Sequence, residues 1–321
     1  MKIMVTGGAG FIGSHFVRRL LGSGFPGLRM TSVTVVDKLT YAGNRANLPM
    51  DDDRLRFVHG DICDAALMGE LLPGHDAVVH FAAESHVDRS IDSAREFFTS
   101  NVCGTQILLD ACRVACVGKV VHVSTDEVYG SVRQGSWTED HPLLPNSPYA
   151  ASKAGSDLVA RAYWRTHGLD VSITRCSNNY GPYQLPEKLI PLFVTNLMEG
   201  KKVPLYGDGH NSREWLHVDD HCQAIALVLT AGRAGEIYNV GGGDELSNLE
   251  MTERLLALCD ADWSMVTRVP DRKGHDDRYA LDETKIREEL GYAPQTRLDQ
   301  GLAQTVEWYR DNIAWWKAVK P

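Results

Sequence analysis

The sequence predicts an α/β fold: a doubly wound parallel sheet covered by helices on both faces, with a smaller C-terminal lobe. Three observations predict it. Short β-branched runs alternate with longer helical patterns through the first half. A glycine-rich turn joins the first of these runs to the first helical pattern. The alternation then breaks after about residue 176, where prolines accumulate. Strands that alternate with helices imply right-handed crossovers and a parallel sheet buried on both sides.

The elements follow in order. Residues 3–6 read as a strand and 13–21 as a helix; 33–37, 57–59 and 77–80 read as further strands. A long helical stretch over 96–115 carries Phe97, Val102, Leu108, Leu109 and Cys112 as its apolar positions. Strands over 119–124 and 171–175 flank a helix over 150–166. Pro182, Pro186, Pro191 and Pro204 then interrupt the pattern, and 207–213 reads as a loop. Leu298, Leu302, Val306, Tyr309, Ile313 and Trp316 recur at spacings of three and four, which predicts one amphipathic terminal helix with its aromatics in the core. The division expected is residues 1–176 for the first domain, with some later segments returning to it, and 177–321 mainly for the second lobe.

Composition bounds the function. The chain has 321 residues, 33 Lys and Arg against 42 Asp and Glu, and a formal net charge of −9. That acidic balance argues against a nucleic-acid binder that works through a basic face. No apolar run approaches the roughly 18–20 residues needed to cross a bilayer, and the N-terminal run is too short for a secretory signal. A soluble, cytoplasmic chain is expected. Its seven cysteines are scattered without a Cys-x-x-Cys spacing, which is neither a disulfide framework nor a zinc ribbon. Cys112 and Cys116 are expected as buried small apolar residues on one helix. The twelve histidines show no His-Glu-x-x-His spacing, so no metal is expected.

The turn Thr6-Gly7-Gly8-Ala9-Gly10-Phe11-Ile12-Gly13 follows the first strand directly and opens a helix. Gly7, Gly10 and Gly13 permit a tight turn, close approach of backbone N–H groups to a pyrophosphate, and close helix–strand packing. This is the fingerprint of a Rossmann-type dinucleotide site. Asp37, at the end of the second strand, can accept hydrogen bonds from both adenosine ribose hydroxyls, and it favours NAD over NADP because a 2′-phosphate would be repelled. Asp61 and Ile62, at the end of the next strand, are placed to bracket the adenine.

Tyr149 and Lys153 stand four residues apart, one turn along a helix face. A phenol with a pKa of about 10 is a poor base at neutral pH. A neighbouring ammonium and an oxidised nicotinamide would both favour the phenolate. Tyr149 could then take a proton from a sugar hydroxyl. The strand over 119–124 runs into Thr125-Asp126-Glu127, where open α/β sheets gather their catalytic groups. Thr125 can hydrogen-bond the hydroxyl that Tyr149 deprotonates, and two adjacent carboxyl groups there could divide acid and base roles between them.

Further segments carry a resemblance: 37–44, 82–88, 124–130, 149–153, 178–183, 187–191, 204–209, 213–215 and 271–276. With the glycine turn they make the chain similar, almost end to end, to the extended short-chain dehydrogenases/reductases. Within these it resembles the dTDP-glucose 4,6-dehydratases most closely. Thr125-Asp126-Glu127 is the most specific of the matches, because epimerases of the same group carry small or polar residues there. The resemblance implies conversion of dTDP-glucose to dTDP-4-keto-6-deoxyglucose and water, with NAD regenerated in every turnover and so held tightly. It implies oxidation at carbon 4 by Tyr149, Lys153 and Thr125, with Asp126 as the acid and Glu127 as the base of the elimination.

The same resemblance assigns Phe11, Ile12, Lys38, Thr40, Phe81, Ala82, Ala83, Ser85, Thr99 and Asn179 to the cofactor, beside Tyr149 and Lys153. To the sugar nucleotide it assigns Ser85, Thr125, Asn178, Lys188, Leu189, Pro204, Tyr206, Arg213, Asn248, Arg272 and His275. Arg213 is expected to fork onto a phosphate, and residues 204–206 to flank the thymine. A homodimer through a four-helix bundle, formed by the helices over 96–115 and 150–166, is implied as well. The rival readings are another NAD-dependent nucleotide-sugar epimerase or dehydratase, and a non-catalytic dinucleotide sensor. A sensor needs neither Tyr149, Lys153 nor Thr125.

Overall fold

The computed structural model describes residues 1–28 and 31–320. In chain order its strands are β1 (Lys2–Thr6), β2 (Ser32–Asp37), β3 (Leu55–His59), β4 (Ala77–His80), β5 (Lys119–Thr125) and β6 (Val171–Cys176). They continue as β7 (Asn178–Tyr180), β8 (Val203–Tyr206), β9 (Ser212–His217), β10 (Ile237–Val240), β11 (Asp244–Ser247) and β12 (Val266–Val269). Seven of them form one parallel sheet in the order β10-β6-β5-β4-β1-β2-β3. β10 comes from the second half of the chain and closes that sheet beside β6.

The central strands are apolar without alternation because both faces are covered. In β1, Ile3 and Val5 pack with Phe16, Val35, Val79 and Val121 on one face. Met4 points the other way, to Val36, Val78, Leu108, Leu109 and Val120. A third core, around Tyr180, Phe193, Trp215, Met251, Leu302, Tyr309 and Trp316, holds the smaller lobe together. There, β9 pairs with β7 and antiparallel with β11, while β8 and β12 form a separate parallel pair.

The long helix Pro148–His167 has readable ends. Ser147 caps it by accepting from the Ala150 N–H at 3.1 Å, Pro148 stands at its first position, and Gly168 closes it at φ +69°.

Four expectations are corrected. The stretch expected as one helix over 96–115 is α-helical at Arg95–Phe97, π-helical at Phe98–Gly104 and α-helical again at Thr105–Val114. The wide turn seats buried Asn101, which accepts from the Glu84 N–H at 2.8 Å and donates to the Glu84 carbonyl at 3.0 Å and to the Ser152 hydroxyl at 2.8 Å. The terminal helix is two, Leu298–Asp311 and Ile313–Val319, broken at Asn312, and Ile313 is exposed. Cys112 is buried, but Cys116 lies past the helix end, exposed, at φ +54°. Of residues 207–213, 207–211 are the loop expected, but Ser212 and Arg213 already belong to β9.

Candidate active site

The turn after β1 is a cradle that side chains would fill. Gly7 has φ +68°, and a Cβ there would lie 2.5 Å from the Ala82 backbone nitrogen. A Cβ on Gly13 would collide with the Gly7 carbonyl oxygen. The turn leads into the helix Phe11–Leu21, whose first N–H groups and dipole favour an anion. Asp37, at the end of β2, accepts from the Ala9 N–H at 2.9 Å and the Leu39 N–H at 2.8 Å. Burial raises its pKa and those two donors pull it back. Lys38 and Asp61 form an ion pair at 2.8 Å beside it.

A cavity of about 580 Å³ runs from Asp37, Asp61 and Ile62 past the glycine turn and residues 81–83 to Tyr149 and Lys153, and on to Lys188. Its size suits a cofactor and part of a substrate. Every residue expected at the cofactor lines it except Thr99, whose neighbour Ser100 does so instead because the π-helical turn resets the facing positions. A glycine cradle, a carboxylate at the end of β2 and this length of cavity fit an NAD molecule.

At the far end β5 delivers Thr125, and a 3₁₀ turn over Asp126–Tyr129 carries the carboxyl pair. The Thr125 hydroxyl donates to Asp126 Oδ1 at 3.2 Å and accepts from the Glu127 N–H at 3.3 Å. Asp126 Oδ2 is buried with no hydrogen-bond partner among the described residues. Burial, then Glu127 and Glu214, push the Asp126 carboxyl well above the carboxylate range. Burial raises Glu127 as well, but Arg272, Lys188 and Arg213 oppose it. Both acids are raised, Asp126 the further of the two, because cations oppose the rise at Glu127 while neighbouring carboxylates add to it at Asp126.

Tyr149 is buried in the floor of this site. Burial, then the charge of Glu127, push its phenol well above the usual value. The Lys153 ammonium, one helical turn on, donates to the Val123 carbonyl at 2.8 Å. The residues facing the carboxyl pair give a cationic wall. Lys188 donates to the Ser85 carbonyl at 2.8 Å. Arg213 is buried over the Tyr279 ring, 4.4 Å from its centroid. Its NH1 donates to the Ser212 carbonyl at 2.6 Å and its NH2 to the Asp276 carbonyl at 2.9 Å, so the free fork expected of it is partly occupied by backbone.

Of the residues expected at the sugar nucleotide, Ser85, Thr125, Asn178 and Lys188 line the cavity, while Leu189, Pro204, Tyr206, Arg213, Asn248, Arg272 and His275 do not. Leu189 opens the helix Leu189–Met198, Pro204 pairs in β8 with Thr267, and Asn248 opens the helix Asn248–Leu258. Arg272 lies 3.9 Å from Asp88, and its Nε is buried without a hydrogen-bond partner among the described residues. His275 meets Asp271 at 2.6 Å and the edge of Tyr206 at 6.4 Å between centroids. Tyr41, Asn47, Tyr183, Glu187 and Trp315 line the cavity unpredicted. Tyr41 could have been found, for it lies inside the 37–44 segment and accepts from the Ser85 N–H at 3.3 Å.

The description "GDP-mannose 4,6 dehydratase" belongs to the family model that matches residues 4–305. A dTDP-glucose 4,6-dehydratase from Streptomyces niveus is 62% identical over 322 residues, covering 100% of this chain and 96% of the relative. The chain belongs to the dTDP-glucose 4,6-dehydratase family. A structure of the dTDP-glucose 4,6-dehydratase of Streptomyces venezuelae, solved with NAD bound, is similar with a TM-score of 0.99 and 66% identity, covering 100% of both chains. The UDP-glucose 4-epimerase of Thermotoga maritima, 31% identical, still superposes with a TM-score of 0.90 over 98% of this chain and 100% of the epimerase. Scaffold alone therefore does not separate dehydratases from epimerases.

Proposed function

We propose that the chain converts dTDP-glucose to dTDP-4-keto-6-deoxyglucose and water, a step of deoxysugar biosynthesis, with NAD as its resident cofactor. The observation that carries this is the Asp126–Glu127 pair, buried at the end of β5 beside Tyr149, with carboxylates adding to the rise of Asp126 and cations opposing that of Glu127. Bound NAD supplies a hydride acceptor at carbon 4 and, later in the same turnover, a hydride donor at carbon 6. Residues 1–176 mainly hold that cofactor, while 177–321 mainly hold the sugar nucleotide.

The chain's own groups manage the protons. Tyr149 takes the proton of the 4-hydroxyl while Thr125 hydrogen-bonds the same oxygen. The resulting ketone acidifies the proton at carbon 5, which Glu127 removes. Asp126, kept protonated, gives its proton to the 6-hydroxyl, which leaves as water. Glu127 returns its proton to carbon 5 as carbon 6 is reduced. Tyr149 then holds one proton too many and Asp126 one too few. The Thr125 hydroxyl, already bonded to Asp126, bridges the two and lets them rebalance. Lys188, Arg213 and Arg272 oppose the burial-driven rise of Glu127 and offer cations to the diphosphate.

A homodimer goes with this reading. Phe98 and Leu158 are exposed apolar side chains on the adjoining segments Phe98–Gly104 and Pro148–His167, suited to pairing with a second copy as a four-helix bundle. Among the described residues no helix is long and apolar enough to cross a membrane, and the cysteines are unpaired, in keeping with a reducing cytoplasm. The test is incubation of the purified chain with dTDP-glucose and no added NAD. The alkali-induced chromophore of a 4-keto sugar is expected; recovery of dTDP-galactose would make the chain an epimerase.

A further inference from the structure

Two consecutive tryptophans on the short last helix, Ile313–Val319, point into different parts of the molecule. Trp316 is 1% exposed, sunk in the core of the smaller lobe, with its indole N–H on the Tyr309 carbonyl at 2.8 Å. Lys320, one residue past the helix, anchors the end of the segment by donating to Glu199 at 2.8 Å. Trp315 reaches the other way. Its indole N–H donates to Asn47 Oδ1 at 2.8 Å, and both residues line the cavity. Asn47 is itself buried, and its amide donates to the Ala9 carbonyl at 2.9 Å, inside the glycine turn. The last helix is thus tied through one amide to the backbone that would cradle the pyrophosphate.

A second set of contacts closes the same ring. Arg18 donates to the Asn47 carbonyl and lies 4.0 Å over the Tyr183 ring. Tyr183 packs on Trp308 and Trp315 at 4.5 and 5.3 Å between centroids. It does so at φ +67°, a backbone state that a tyrosine adopts only when its surroundings hold it there. Trp315, Ala318 and Val319 all line the cavity.

We propose that this terminal segment is a cofactor-retaining strap, with the Trp315–Asn47 hydrogen bond as its clasp. The inference rests on NAD being the resident cofactor. A reaction that removes hydride from a sugar and restores it in the same turnover fails whenever the reduced cofactor escapes in between. A clasp made by this chain's own residues raises the barrier to that escape without touching the reacting carbons. Trp315 and Asn47 are positioning residues in this sense: they act on the cofactor's residence and not on the chemistry.

The test uses the full chain, loaded with NAD labelled in its adenine, freed of unbound label and chased with excess unlabelled NAD. Trp315→Phe keeps the ring and removes the N–H donor. It is expected to release label roughly three- to tenfold faster than wild type, the range set by one ordinary hydrogen bond. Trp315→Ala, which also loses the ring, is expected to release it faster still. Release from both variants at the wild-type rate overturns the clasp, and thermal melts of the label-free proteins establish that each variant is folded. If Trp315→Ala does not fold, Trp315→Phe alone decides. A lower melting temperature with unchanged release would mean that Trp315 is merely structural and would equally overturn the proposal. A wild-type chain that takes up no label contradicts the cofactor reading itself, a result distinguishable from failure of the clasp.

Discussion

The Lys153 ammonium donates to the Val123 carbonyl oxygen at 2.8 Å, so the cation one helical turn from Tyr149 is anchored to β5 and not to the phenol. Tyr149 is meanwhile raised by burial and by Glu127. In the cofactor-free chain it is a protonated phenol throughout the neutral range, and a positive nicotinamide is the charge that brings its pKa down. Ultraviolet difference titration of wild type against Tyr149→Phe should show no phenolate from Tyr149 near neutral pH without NAD, and a lower titration midpoint with it. Tyr149→Phe should also slow the first oxidation by about 10²–10⁴, read as reduced-nicotinamide absorbance in a single turnover.

Asp126 and Glu127 differ in their surroundings more than in their chemistry. Three cations oppose the rise of Glu127, whereas burial and two carboxylates drive Asp126 upward. Asp126→Asn should leave oxidation at carbon 4 detectable and slow elimination by about 10²–10⁴, the scale of one lost general acid. Glu127→Gln should suppress uptake of solvent deuterium at carbon 5, followed by mass spectrometry of the product. Loss of oxidation in Asp126→Asn as complete as in Tyr149→Phe would contradict this division.

Behind the site, Asp157 and Arg175 pair at 2.9 Å, both buried, with His122 3.3 Å from the other carboxylate oxygen. Burial raises the Asp157 pKa, but Arg175 and His122 outweigh it and hold it at about 2, below its ordinary 3.8. A depressed carboxyl contributes stability above its unfolded pKa and loses it as pH falls through the folded one. That loss falls between about pH 4 and about pH 2. Asp157→Asn leaves Arg175 buried without its counterion and should cost about 3–5 kcal/mol at neutral pH. Urea midpoints taken along that pH range should fall less steeply for the variant than for wild type.

What could be read in advance divides along a physical line. The glycine turn and Asp37 are local devices, since backbone freedom at Gly7 and a carboxylate at a strand end need only their neighbours. Six of the seven strands of the main sheet were legible for the same reason, because burial on both faces writes itself as apolar runs such as Ile3-Met4-Val5, whereas β10 was not read as a strand. The π-helical turn was not, because its register is set by Asn101 reaching Glu84 and Ser152. The break at Asn312 and the reach of Trp315 to Asn47 were hidden as well, since a helical period does not show that a helix splits to serve two partners. Lys153 shows the limit most plainly. Its spacing from Tyr149 suggested a cation beside the phenol, but not that a strand carbonyl three residues before Asp126 would anchor it.

The central claim is that one cofactor carries hydride from carbon 4 to carbon 6 of the same hexose while the carboxyl pair expels water between those events. Turnover of dTDP-glucose deuterated at carbon 4, mixed with unlabelled substrate carrying a carbon-13 mass tag, tests this directly. Deuterium at carbon 6 of untagged product only, without crossover to tagged product, is the result expected. Deuterium washed out to solvent, scrambled between molecules, or retained at carbon 4 of a recovered hexose would contradict it.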